Sequence, residues 1–309
     1  MINFEDEIIK LKQDLNAVIL AHFYQDEEIQ EIADFVGDSL DLARKASKTD
    51  SDVIIVCGVK FMGEVAKILN PNKKVLIPDM KAGCSLEDSC KPTEFAKFRE
   101  KHPDHITLTY INCSAEIKAL SDIIVTSTNA MKIVEQLPKD QRIIFAPDRH
   151  LGSYISKQTG RDMLLWHGSC IVHEQFSEKE LVKLKVKHPE AKIIAHPECP
   201  ENLLSYANHI GSTSSLLKFT TENISGEFIV LTEPGIIHQM KKSNPTGKFY
   251  DCPGMDQSGC ILCNNCPYMQ LNDLEKLYKV MKNQDNEIIL EDNLMKKASS
   301  SLERMLKMS

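Results

Sequence analysis

The feature that most constrains this chain is an internal repeat with a spacing of 86 to 88 residues. The run Val18-Ile19-Leu20-Ala21-His22 is short and apolar, which predicts a strand buried in a parallel sheet. Its counterparts are Ile106 to Ile111 and Lys192 to Pro197, offset by 88 and 86 residues. Each run ends in a polar cluster: His22-Phe23-Tyr24, Tyr110-Ile111-Asn112 and His196-Pro197-Glu198. The next landmark keeps the same offsets, since Gly37-Asp38-Ser39, Thr126-Ser127-Thr128 and Gly211-Ser212-Thr213 each precede a short helical stretch. Further apolar strands are expected at Val53–Val56, Ile143–Ala146 and Phe228–Leu231, with last strands at Lys74–Asp79, Asp162–Gly168 and Lys248–Cys252. Between them, Met62, Val65, Ala66 and Leu69 have the spacing of a buried helix face.

Strands that alternate with helices form parallel sheets covered on both faces. The reading is therefore an α/β protein of three homologous αβα units, spanning 1–88, 89–175 and 176–266, around a pseudo-threefold axis. This overrides the two domains that 309 residues alone suggest. A helical extension, 267–309, with Leu274, Leu277, Tyr278 and Met281 on one face, packs on the body. Ligands of open α/β sheets bind beyond the carboxyl ends of the strands, so the three polar clusters should meet in one central cavity.

A net charge of −7 and only short basic segments, such as Lys241-Lys242, speak against a nucleic-acid or membrane partner. Met1 to Asn16 is acidic and amphipathic, and no apolar run approaches the roughly 18 residues of a membrane span. A cytoplasmic chain is expected, and in that reducing setting ten cysteines point to metal or redox chemistry rather than disulfides. Cys57, Cys90, Cys113 and Cys199 read as packing residues. Cys84 and Cys170 lie 86 residues apart, at the same place in the repeat. The third unit offers Cys252, Cys260, Cys263 and Cys266, all open as a third partner. One thiolate per unit around an iron–sulfur cluster leaves one iron without a protein ligand, a Lewis acid open to a substrate oxygen. A ferredoxin site lacks its fourth spaced cysteine, and a zinc knuckle lacks its second close pair. Where a phosphate loop ending at Gly247-Lys248 needs a glycine, the chain has Lys242.

Across nearly the whole chain, and in order, the motifs resemble those of the quinolinate synthases. They are Ala21-His22-Phe23-Tyr24-Gln25, Ala82-Gly83-Cys84-Ser85-Leu86, Tyr110-Ile111-Asn112, Trp166 to Glu174, His196-Pro197-Glu198-Cys199, Gly211-Ser212-Thr213-Ser214 and Cys266-Pro267-Tyr268-Met269. The resemblance implies a triangular array of three αβα domains and a [4Fe–4S] cluster on Cys84, Cys170 and Cys266, with one open iron. It leaves Cys260 and Cys263 outside the ligand set, as a pair for a regulatory disulfide. The implied reaction condenses iminoaspartate with dihydroxyacetone phosphate, losing phosphate and two waters, to give quinolinate for NAD biosynthesis. A transient partner that supplies the labile iminoaspartate is also implied.

That chemistry needs donors for two carboxylates and a phosphate. Ser39, Ser127, Ser212 and Thr213, with His22 and His173, can supply them, helped by amides at helix N-termini. Glu198 is the expected general base, its pKa raised if the cavity closes and excludes water, with His196 on the opposite side of the extended strand end. Tyr24 and Tyr110 pass protons or orient the triose, and Asn112 holds an intermediate. The open iron binds the hydroxyl lost in the last dehydration, or the ring nitrogen and adjacent carboxylate of the product. His102, His105, His188 and His209 receive no functional role, and His150 and His238 stay open. Two rival readings are another iron–sulfur hydro-lyase acting on a small carboxylic acid, and a non-catalytic metal or redox sensor built on Cys260, Cys263 and Cys266. Dependence on dihydroxyacetone phosphate separates the first, and metal content indifferent to Cys84 and Cys170 the second.

Overall fold

A computed structural model describes residues 2–255 and 261–309. Among them stand three four-stranded sheets, each wholly parallel. The first contains β1 (Ala17–His22), β2 (Phe35–Gly37), β3 (Val53–Cys57) and β4 (Lys74–Leu76). The second contains β5 (His105–Tyr110), β6 (Ile123–Val125), β7 (Arg142–Ala146) and β8 (Met163–Leu165). The third contains β9 (Lys192–Ala195), β10 (His209–Ile210), β11 (Glu227–Leu231) and β12 (Lys248–Asp251). Strand order is the same in all three, with the second strand on one edge and the fourth on the other: β2-β1-β3-β4, β6-β5-β7-β8 and β10-β9-β11-β12.

The central strands are β-branched runs covered on both faces. Every residue of Val53–Cys57 is buried, as helices on each side of a parallel sheet require. The second strands, β2, β6 and β10, are additions to the sequence reading. At two or three residues they are too short to carry a period. They matter because each delivers the chain into one of the three polar turns that begin a helix.

Asp38 joins those turns. Its Oδ1 accepts from the backbone N–H groups of Leu40 and Asp41, both at 3.0 Å, which caps the helix Ser39–Ala46. Its Oδ2 accepts from Thr128 Oγ1 and Ser214 Oγ, both at 2.8 Å. One buried carboxylate thus takes a hydroxyl from the second unit and another from the third.

A continuous apolar core runs through the first and second units and includes Leu302 and Met305 of the last helix, Asp292–Met308. That helix packs on Ala115–Ala119 and β6, and Ser301 Oγ donates to the Lys118 carbonyl at 2.9 Å. Helix Leu274–Asn283 covers the other face of the first sheet together with Phe4–Asp14. The third unit has its own core on each face, and Phe23 of the first unit enters one of them. No described helix is long and apolar enough to cross a membrane.

Removing the Asp38 carboxylate should loosen all three units at once. Asp38→Ala is expected to cost about 2–4 kcal/mol, from a lost cap and two charge-assisted hydrogen bonds. Asp38→Asn, which retains the capping oxygen, should cost less. Denaturant midpoints of the two variants check this; equal losses would mean that the cap contributes little and that the hydroxyl bonds to Oδ2 carry the whole effect.

Candidate active site

The carboxyl ends of β1, β5 and β9 open into one cavity, walled by His22, Tyr110 and His196 from the three sheets. Of the residues expected in a site, Tyr24, Ser39, Asn112, Ser127, His173, Glu198, Thr213, Cys84, Cys170 and Cys266 also line it. Ser212 does not. Its hydroxyl accepts from the Ser215 N–H at 3.3 Å and caps the helix Thr213–Glu222, so the structure uses it for folding.

Glu198 is the centre of the polar wall. Its Oε1 accepts from the Tyr110 hydroxyl at 2.6 Å, and its Oε2 lies 3.1 Å from His173 Nδ1. His196 is in the same wall, with Nδ1 3.7 Å from Glu198 Oε1. The expected opposition of His196 and Glu198 is therefore wrong. The chain turns directly after β9, with the Cys199 N–H donating to the His196 carbonyl at 3.0 Å, and the turn brings the two side chains together. The Glu198 N–H donates to His196 Nδ1 at 3.4 Å, which leaves the His196 Nε2 proton to face Ser127 Oγ at 3.1 Å.

The expected rise in the Glu198 pKa is also corrected. Burial pushes the carboxyl up, but neighbouring imidazoles and the Tyr110 hydroxyl outweigh burial and hold it well below its ordinary value. His173 does most of this, followed by His196 and then by the Tyr110 hydroxyl. His196 is itself pushed down to about 3 by burial, so it is neutral near pH 7. His22 is pushed down to about 4 by burial, and its Nδ1 accepts from the Tyr24 N–H at 3.2 Å. Burial and the Glu198 charge raise both Tyr24 and Tyr110 well above the usual phenol range, so both remain neutral donors.

The three thiols share one kind of setting. Cys84 and Cys170 are the residues immediately before the short helices Ser85–Ser89 and Ile171–Glu174. Cys266 precedes the single turn Met269–Leu271. Each sulfur accepts from backbone N–H groups a few residues further along the chain. These belong to Leu86 and Glu87 for Cys84, to His173 for Cys170, and to Tyr268 and Met269 for Cys266. Burial raises all three thiols, and each is raised further by nearby negative groups, which for Cys84 and Cys170 include another of the three. No Lys or Arg is among the described lining residues. Three convergent thiols with amide donors, no neighbouring cation and mutual repulsion form a donor set suited to a shared positive metal centre. A second possible set of donors is Cys170, His173 and Glu198, whose ligand atoms lie within 4.8 Å of one another.

Two acidic residues in the wall escaped the sequence reading. Asp38 sat inside a quoted landmark but was passed over for the hydroxyl beside it. Glu233 follows β11 in the turn Thr232-Glu233-Pro234-Gly235; its oxygens accept from Gly235 N–H at 2.8 Å and Cys266 N–H at 3.3 Å, and burial pushes it up to about 8. The signal that could have found it is position, since it follows a central strand of the repeat. Asn112 Oδ1 and Thr126 Oγ1 are buried without a protein partner. His150 and His238 lie outside the cavity, 2.6 Å from Glu174 and Glu31 respectively. Cys57, Cys90, Cys113 and Cys199 are buried. The expected Cys260–Cys263 pairing falls on Cys260, outside the described residues, while Cys263 is exposed.

A family model described as quinolinate synthetase A protein matches residues 6–307. A Trichodesmium erythraeum protein named quinolinate synthase is 59% identical over 304 residues, covering 98% of this chain and 93% of the relative. Proteins of the same name from Trichormus variabilis and Prochlorococcus marinus are each 59% identical, covering 98% and 97% of this chain and 92% and 90% of theirs.

Two buried neutral imidazoles give a pH dependence with a definite sign. His22 and His196 titrate near 4 and 3 when folded, against 6.5 ordinarily, so below pH 6.5 the unfolded chain binds protons that the folded chain refuses. Their contribution is complete above pH 6.5 and falls as pH drops toward 4, by up to about 1.4 kcal/mol per pH unit for each group. His22→Gln should flatten the slope of stability between pH 6 and 4.5 by close to one proton. An unchanged slope in denaturant titrations would refute a neutral buried His22.

Proposed function

This chain belongs to the quinolinate synthase family, and from that premise we propose that it condenses iminoaspartate with dihydroxyacetone phosphate to quinolinate, releasing phosphate and two waters. The observation that carries the reading is the convergence, in one cavity, of one thiol from each unit with the Tyr110–Glu198–His173 group. Cys84, Cys170 and Cys266 would hold a [4Fe–4S] cluster. When bound, the cluster supplies a Lewis-acidic iron that has no protein ligand, suited to polarising a substrate oxygen or nitrogen.

The rest of the work falls to side chains. Ser39, Ser127, Thr213 and His22 bind the anionic ends of the substrates by hydrogen bonding, without the fixed charge of Lys or Arg. The helix Thr213–Glu222 starts at the cavity wall, so its first amides add to that field. Asn112 offers an unpartnered carbonyl oxygen, which suits an N–H or O–H of an intermediate. Glu198 takes protons from carbon and hydroxyl positions during isomerisation and elimination. An ionised carboxylate held low by its neighbours is a weak base until charge develops elsewhere, and the arrival of a dianionic substrate raises its basicity. Tyr24 and Tyr110, both neutral, donate to the triose oxygens or orient them. The same proposal takes the chain to be cytoplasmic and its iminoaspartate to come from a partner enzyme, and it keeps the unit boundaries at 88, 175 and 266.

Anaerobically purified protein should contain about four irons and four sulfides per chain. Cys84→Ala, Cys170→Ala and Cys266→Ala should each lose them. Glu198→Gln should keep the iron and lose roughly 10²- to 10⁴-fold in kcat for quinolinate formation, the usual worth of a general base. Iron content indifferent to Cys84 would overturn the ligand set, and a fully active Glu198→Gln would remove the proton-transfer role.

A further inference from the structure

The strands β3, β7 and β11 end at Cys57, Ala146 and Leu231, which pair with Ala21, Thr109 and Ala195 at equivalent places in the three sheets. Three positions further on stand Lys60, Arg149 and Pro234. In the first two units this residue ties the cysteine loop to the sheet through the backbone. The Lys60 N–H donates to the Ala82 carbonyl at 2.6 Å, and the Arg149 N–H to the Gly168 carbonyl at 2.9 Å. Both acceptors lie two residues before the cysteine, Cys84 in one unit and Cys170 in the other. The third unit cannot repeat that bond, because proline has no N–H.

Glu233, the residue before that proline, makes a different connection. Its Oε1 accepts from the N–H of Cys266 itself at 3.3 Å, while Oε2 accepts from the Gly235 N–H at 2.8 Å. The side chain is buried, and its place is set from behind. A Cβ on Gly235 would lie 2.9 Å from both Glu233 Oε2 and the Tyr24 backbone, so this close approach requires glycine. The counterparts of Glu233 are used otherwise. Val59 has no acceptor, and Asp148 Oδ1 caps its own helix by accepting from the Leu151 N–H at 2.7 Å. The third loop also has the greatest need of a tie. Residues 252–265 separate β12 from Cys266, against 77–83 before Cys84 and 166–169 before Cys170, and a longer loop loses more entropy when its end is fixed.

We propose that Glu233 is a positioning residue that holds the Cys266 loop at the cavity, a side-chain tie in place of the backbone tie that Pro234 removes. The proposal rests on the reading of Cys266 as a cluster ligand. Cys266 then depends on a side chain where Cys84 and Cys170 depend on the backbone, so one substitution can loosen it and leave the others in place.

Hydrogen exchange on the anaerobically purified full chain reads the tie directly. In the wild type, peptides spanning Cys266 should be protected. Glu233→Ala should speed their exchange by about 10-fold, the worth of one buried hydrogen bond, and leave peptides spanning Cys84 and Cys170 unchanged. Glu233→Gln keeps a carbonyl oxygen that can accept, and should restore part of the protection. Iron loss to a chelator should be about 10- to 100-fold faster in Glu233→Ala, the usual effect of removing a group that orients a metal ligand. A merely structural role would speed exchange at all three cysteine loops alike, with Glu233→Gln no better than Glu233→Ala. Either result overturns the inference, as does an unprotected Cys266 segment in the wild type or an unchanged rate of iron loss. Iron content that survives Cys266→Ala overturns the ligand set instead, and the exchange rates still decide the tie.

Discussion

The arrangement depends on one carboxylate. Asp38 accepts two backbone amides of its own helix and one hydroxyl from each of the other units. Burying a carboxylate costs several kcal/mol unless its lone pairs are met, and here all four donors come from turns that the fold must bring together. The bond network works only when the three sheets stand in the right mutual orientation. Any slippage between units leaves a buried charge short of partners. Orientation of the sheets and completeness of the cavity are therefore the same condition.

The cavity itself concentrates negative and neutral groups. His22 and His196 are kept uncharged by burial, and the tyrosines are kept as phenols. Glu198 is the group held in its charged form, through His173 and Tyr110. Recognition of anions in such a site relies on oriented hydroxyls, imidazoles and amides. These donors can be aimed at one oxygen each, which a flexible ammonium cannot match.

Much of this was legible in the sequence, for identifiable reasons. The central strands were readable because Val, Ile and Leu runs at a fixed spacing are required of any strand buried on both faces. The site residues at strand ends followed from topology, since parallel sheets bind ligands at their carboxyl edges. The edge strands β2, β6 and β10 were not readable, because two or three residues carry no period. The capping role of Ser212 could not be read, because a capping serine and a ligand-binding serine look the same in sequence. Asp38 and Glu233 were missed because their importance lies in partners 90 and 33 residues away. The direction of the Glu198 shift needed distances: burial and hydrogen bonding oppose each other, and sequence cannot say which is larger.

The repeat also explains why three units share one chain. Positions equivalent to Asp38 are held by Thr126 and Ser212, on the offsets of 88 and 86 residues. A ring of three identical subunits would put the same residue at all three positions. With aspartate at each, three carboxylates would crowd one axis and repel; with serine or threonine at each, there would be no carboxylate to accept two amides and two hydroxyls at once. Covalent fusion removes that restriction, because each copy can mutate alone. A single acceptor served by unlike neighbours is an asymmetric solution at a near-symmetric centre, open to a gene that encodes all three copies and closed to a homotrimer.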